Sequence, residues 1–95
     1  MRTNVTFRHF KSNPELHDAA MEAAEKFEKF HPGIISTDTI FTNDTDKIVE
    51  FNVKIQGQNI VAKENSDDFV KSLNEASDKI IRQLKKVKSK ITNHI

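Results

Sequence analysis

Residues 69–91 read FVKSLNEASDKIIRQLKKVKSKI, and this stretch decides the fold. Phe69, Leu73, Ala76, Ile80, Leu84, Val87 and Ile91 recur at steps of 4, 3, 4, 4, 3 and 4, the spacing that stacks side chains on one face of an α-helix. A long amphipathic helix is expected, with one face committed to a core. Asn65 or Ser66 is expected to cap it, and Asp67 and Asp68 stand where the positive end of the helix dipole favours carboxylates.

The core that this face must meet is written upstream. Thr3, Val5 and Phe7 alternate with Arg2, Asn4, Thr6 and Arg8, a period of two that reads as a half-buried strand with a polar, basic outer face. Asn13-Pro14 is a helix start, because Asn caps a free N–H and Pro fits the first helical position. Leu16, Ala20, Ala23, Phe27 and Phe30 then form one stripe that ends at Pro32-Gly33. Ile34 to Thr42 is largely β-branched, Asn43-Asp44-Thr45-Asp46 is rich in turn formers, and Val49, Phe51, Val53 and Ile55 alternate with polar residues. Gln56-Gly57-Gln58-Asn59 is a second turn, leaving Ile60 to Glu64 as the last strand. The expected order is β-α-β-β-β-α, an α+β two-layer sandwich with a four-stranded mixed sheet, whose first two strands run parallel because a helix joins them.

Composition narrows the function classes. Ninety-five residues accommodate one domain, expected to span 1–95. Apolar residues are 36% and charged residues 31%, polar for a globular chain, but seven Phe supply enough burial for a shallow core. The absence of Cys removes disulfides, thiolate metal sites and thiol nucleophiles, and fits a reducing compartment. No stretch approaches the roughly 20 apolar residues that span a bilayer, so a soluble, cytoplasmic chain is expected.

Net charge is only +1, yet it is unevenly placed. Lys79, Arg82, Lys85, Lys86, Lys88 and Lys90 follow the last acid, Asp78, giving residues 79–95 a charge of +6 and the remaining 78 residues −5. Lys79, Arg82, Lys86 and Lys90 form a stripe roughly a third of a turn from the apolar face. Arg2, Arg8 and Lys11 precede the first acid, while the first helix carries Glu15, Asp18, Glu22, Glu25 and Glu28. Cations near a helix C-terminus offset its dipole and aid solubility. No acid follows Asp78 to partner them at i+4, and such a run of cations repels itself, a cost that a polyanion would relieve. Phosphate is the leading candidate, and a membrane surface the weaker one, since the apolar face is needed for the core.

Catalytic and cofactor chemistry finds no support. His9, His17, His31 and His94 are scattered and no two share a helix face at i, i+4, so no metal site is expected. Gly33 and Gly57 are too few for a P-loop or dinucleotide fingerprint. The carboxylates lie on exposed faces without a Ser-His-Asp spacing, so neither catalytic residues nor a cofactor are expected. Phe7, Phe27, Phe30, Phe51 and Phe69 fall at inward positions, whereas Phe10 and Phe41 stay open between core and contact. Recognition by stacked rings on an open sheet is disfavoured against backbone recognition by cations.

Asp67-Asp68-Phe69, Leu73 and the run Asp78-Lys79-Ile80-Ile81-Arg82-Gln83-Leu84-Lys85-Lys86-Val87-Lys88 resemble the second-helix signature of the ribosome hibernation-promoting factor family, also called ribosome-associated inhibitor or sigma-54 modulation proteins. Asn4-Val5-Thr6 resembles its first strand, Leu16 to Glu28 its first helix and Gly57 to Ala62 its last hairpin. The resemblance implies a domain like double-stranded-RNA-binding modules, with both helices on one side of the sheet. It implies binding to the small ribosomal subunit, alone or within the 70S ribosome, in the channel used by mRNA and tRNA, silencing idle ribosomes in stationary phase or stress. The family's rRNA-contacting cations match Lys79, Arg82, Lys86 and Lys88. Ending at Ile95, the chain resembles the short form and is expected to be monomeric off the ribosome. It departs from the family pattern at Val70, where Tyr is frequent, at Ala23, where Lys is frequent, and at Glu64, where a small residue is usual.

The expected rRNA-binding set is therefore Lys79, Arg82, Lys85, Lys86, Lys88 and Lys90, helped by Arg2 and Arg8. Two other readings stay open: a module docking its basic helix on an acidic partner such as a transcription factor, and a binder of free duplex RNA.

Overall fold

A computed structural model describes residues 1–93, with side chains through Val87. The expected positions Lys88, Lys90, Ile91 and His94 have side chains outside the described residues. Strand β1 (Arg2–Arg8) alternates exposed and half-buried residues, so Thr3, Val5 and Phe7 turn inward as their spacing requires. Helix α1 (Pro14–Phe30) starts where expected. Asn13 Oδ1 accepts from the Leu16 N–H at 3.1 Å, with Pro14 opening the helix. Its buried stripe is Leu16, Ala20, Ala23, Ala24 and Phe27, and Phe30 packs on the core edge.

Strands β2 (Ile34–Asn43), β3 (Lys47–Ile55) and β4 (Gln58–Ser66) complete a sheet of order β1-β2-β3-β4, parallel between β1 and β2 and antiparallel thereafter. Register assembles the inner face in rows: Thr3, Thr37, Val53, Ile60; then Val5, Thr39, Phe51, Ala62; then Phe7, Phe41, Val49, Glu64. Helix α2 (Phe69–Asn93) lies over β3 and β4, and α1 packs beside it while reaching β1 and β2. Leu73, Ala76, Ile80 and Leu84 of α2 are buried, as their period dictates, and Ile81 joins them. This is the expected α+β sandwich.

Two boundaries differ from expectation. Strand β4 begins at Gln58 and runs to Ser66 instead of spanning Ile60 to Glu64, so the β3–β4 turn is only Gln56-Gly57. Gly57 has φ +86°, the left-handed conformation that such a turn demands and that glycine adopts freely. The extra residues Gln58, Asn59, Asn65 and Ser66 are polar, so hydropathy hides them, yet their backbones pair with Ile55, Lys54, Ile48 and Lys47. Neither Asn65 nor Ser66 caps α2. Asp68 occupies the position before the first helical residue: its carbonyl accepts the first intrahelical bond, from the Ser72 N–H at 3.0 Å, while the Ser66 hydroxyl accepts from the Asp68 N–H at 3.2 Å. Ser72 Oγ in turn donates to the Lys47 carbonyl at 2.7 Å, tying α2 to β3.

The two open aromatics are structural. Phe41 is fully buried and stacks on Phe7 at 5.3 Å. His9, with φ +69°, turns the chain out of β1 so that Phe10 stacks on Phe69 at 5.0 Å and meets Phe7 edge-on at 5.4 Å. Within the core, Thr39 Oγ1 is buried without a hydrogen-bond partner, a desolvation cost that an apolar isostere avoids. Thr39→Val is therefore expected to raise stability by about 1 kcal/mol, read as a higher urea midpoint at unchanged slope. Ile80→Ala, in the fully buried α2 stripe, is expected to cost about 2–5 kcal/mol in the same assay.

Candidate nucleic-acid interface

Because α2 must bury Leu73, Ala76, Ile80 and Leu84, its rotation is settled, and the cations fall on its flanks. Ser72 and Lys79, two turns apart on one flank, both meet the β4 edge: Ser72 Oγ lies 2.7 Å from Ser66 Oγ, and Lys79 Nζ forms an ion pair with Glu64 Oε2. Lys86, two further turns along, and Arg82 between them continue this flank. Arg82 and Lys86 are exposed, and among the described residues neither pairs with a carboxylate.

Two expected members behave differently. Lys79 was expected to be one of six unpartnered cations; it is paired, because its partner comes from the neighbouring strand instead of from α2. Glu64 follows Ile60 and Ala62 on the inner face, where a largely buried carboxylate, 18% exposed at its side chain, requires a cation. That alternation was the signal in the sequence that an i, i+4 search overlooks. Lys85 lies toward α1, with Nζ 5.4 Å from the centroid of Phe30, the last residue of α1, a cation–π contact joining the end of α1 to α2.

Arg2 and Arg8 are exposed on the opposite, uncovered face of the sheet, at the edge far from β4. The structure does not bring them together with the α2 flank. Their rows hold Ser36, Lys54 and Asn59 beside Arg2, and Thr42, Ile48 and Asn65 beside Arg8. Between these rows lie Asp38, which accepts from Asn4 Nδ2 at 2.8 Å, and the cross-strand pair Glu50 and Lys63, so this face mixes signs.

The acids Glu15, Asp18, Glu22, Glu25 and Glu28 are all exposed on α1. Acidic and basic helices thus share one layer, which polarises the helical side of the molecule. Between them runs a groove lined by Ala19, Ala23, Val70, Leu73 and Ser77, with Glu22, Lys26 and Asn74 at its rim. The departures Ala23 and Val70 therefore fall on the same feature. Among the described residues no cluster of three or more His, Cys, Asp or Glu side chains could hold a metal, and no helix is long and apolar enough to cross a membrane.

Comparison with known proteins agrees with the fold. Ribosome hibernation promoting factor of Pseudomonas putida is 28% identical over 91 residues, covering 95% of this chain and 89% of that protein. Ribosome-associated factor Y of Haemophilus influenzae is 28% identical over 91 residues, covering 95% of this chain and 85% of that protein. A ribosomal subunit interface protein from Coxiella burnetii superposes with a TM-score of 0.80 at 28% identity, covering 94% of this chain and 99% of that one. The family described as sigma 54 modulation protein / S30EA ribosomal protein matches residues 3–92. With that match spanning nearly the whole chain and the β-α-β-β-β-α order in place, the chain belongs to the sigma 54 modulation protein / S30EA ribosomal protein family.

Proposed function

We propose that the chain binds the small ribosomal subunit, free or within the 70S ribosome, and inhibits translation by occupying the mRNA and tRNA path, preserving idle ribosomes in stationary phase or stress. The relatives' names supply the partner: a hibernation promoting factor and a subunit interface protein. The mode of binding rests on one observation, the exposed Arg82 and Lys86 on a flank of α2 whose rotation the core dictates. Phosphates of rRNA are its natural counterions, and Lys79, Lys85, Lys88 and Lys90 extend the same helix end. Arg2 and Arg8 would touch rRNA as a separate contact from the open sheet face. The action is steric and non-enzymatic, needs no cofactor, and belongs to the cytoplasm, with a monomer off the ribosome.

Two outcomes follow in ribosome sedimentation. Engagement of four or five phosphates gives a slope of log affinity against log salt of about −3 to −4.5; a slope near zero contradicts electrostatic binding. Arg82→Glu combined with Lys86→Glu weakens ribosome binding by at least about tenfold, or 1.4 kcal/mol. Because both side chains are exposed, stability stays within about 0.5 kcal/mol of the parent. A double variant that still cosediments and still inhibits translation in vitro overturns the assignment.

A further inference from the structure

We propose that Glu64 acts as a built-in brake on phosphate binding, holding Lys79 in a net-neutral pair so that the α2 flank meets a phosphodiester backbone with one cation fewer than its sequence carries. The inference rests on the reading of α2 as the phosphate-binding face and goes beyond it in naming an anionic residue that limits it. The geometry is asymmetric. Lys79 is 54% exposed and stands on the flank that Arg82 and Lys86 continue, whereas Glu64 is 18% exposed and fixed on the inner face of β4, in register with Val49. The carboxylate is the less exposed partner, held at the β4–α2 layer, and the more exposed lysine reaches back to it. A half-buried carboxylate is held closer to its cation than an exposed one, and a phosphate must compete with it for the same ammonium group.

Such a pair lowers affinity for polyanions in general while leaving contacts of shape and position intact. It therefore raises the relative weight of those contacts in choosing a partner. Arg82 and Lys86, without a carboxylate partner among the described residues, carry no such restraint.

The test is the salt dependence of binding to purified small ribosomal subunits and to a plain RNA duplex, between about 50 and 200 mM salt. Glu64→Gln releases Lys79 without changing side-chain size, and steepens the slope by about 0.7–0.9 on both probes. Glu64→Gln with Lys79→Gln replaces a neutral pair by a neutral pair and returns the parental slope. Glu28→Gln, which adds the same net charge on the exposed face of α1, also leaves the slope at its parental value. Glu64→Ala, a side chain already present on this face at Ala62, serves if the amide variant does not fold. A parental slope for the Glu64 variants overturns the proposal. So does a double variant shallower than the parent by about 0.7–0.9, since Lys79 would then already sit on phosphate. If Arg82→Glu with Lys86→Glu abolishes binding while Glu64→Gln changes nothing, the brake alone is lost. If that double variant binds like the parent, α2 is not the binding face and both readings fall.

Discussion

The structure depends on the burial of one helical stripe. Leu73, Ala76, Ile80 and Leu84 leave water only if α2 lies across β3 and β4 in a single rotation about its own axis. Each large apolar side chain so buried contributes roughly 1.5–3 kcal/mol, far more than the few tenths typical of a charge pair on a helix surface. Packing therefore wins over electrostatics in deciding how α2 sits, and the cations take whatever positions remain. A row of like charges on the outer flank is a consequence of the core, and it is stable because the core holds it there.

The same layer explains why near-neutrality and polyanion binding are compatible. The exposed acids of α1 and the cations of α2 are held side by side in the layer that covers the sheet. Local potential, not net charge, governs which surface a phosphate approaches. The uncovered sheet face behaves otherwise: Arg2, Arg8, Lys54 and Lys63 are interleaved with Asp38, Glu50 and neutral side chains, so its field is more broken. Distributing cations over two layers separates an ordered row on α2 from a mixed-sign face beside β1.

Much of this arrangement was legible in the residues. The 4-3 spacing of α2, the alternation of Thr3, Val5 and Phe7, and the Asn13-Pro14 start each express a local rule that the tertiary structure obeys. The ends of β4 were not legible, because an edge strand can extend through polar residues on backbone pairing alone. The neutralisation of Lys79 was legible only in β4, where Glu64 falls on the inward side of the alternation, since its carboxylate arrives across a helix–sheet interface and no spacing along α2 encodes it. Phe10 and Phe41 were ambiguous for a related reason: the turn at His9 aims Phe10 at Phe69, a contact between distant parts of the chain.

The central claim is that the α2 flank, and not the acidic face of α1, lies against rRNA. The chain contains no cysteine, so a single one introduced at exposed Gln83 on α2 or at exposed Glu25 on α1 can carry a hydroxyl-radical source. With the tethered protein bound to small subunits, the account predicts localised rRNA cleavage from position 83 and little or none from position 25. Strong cleavage from position 25 with a silent position 83 would contradict it.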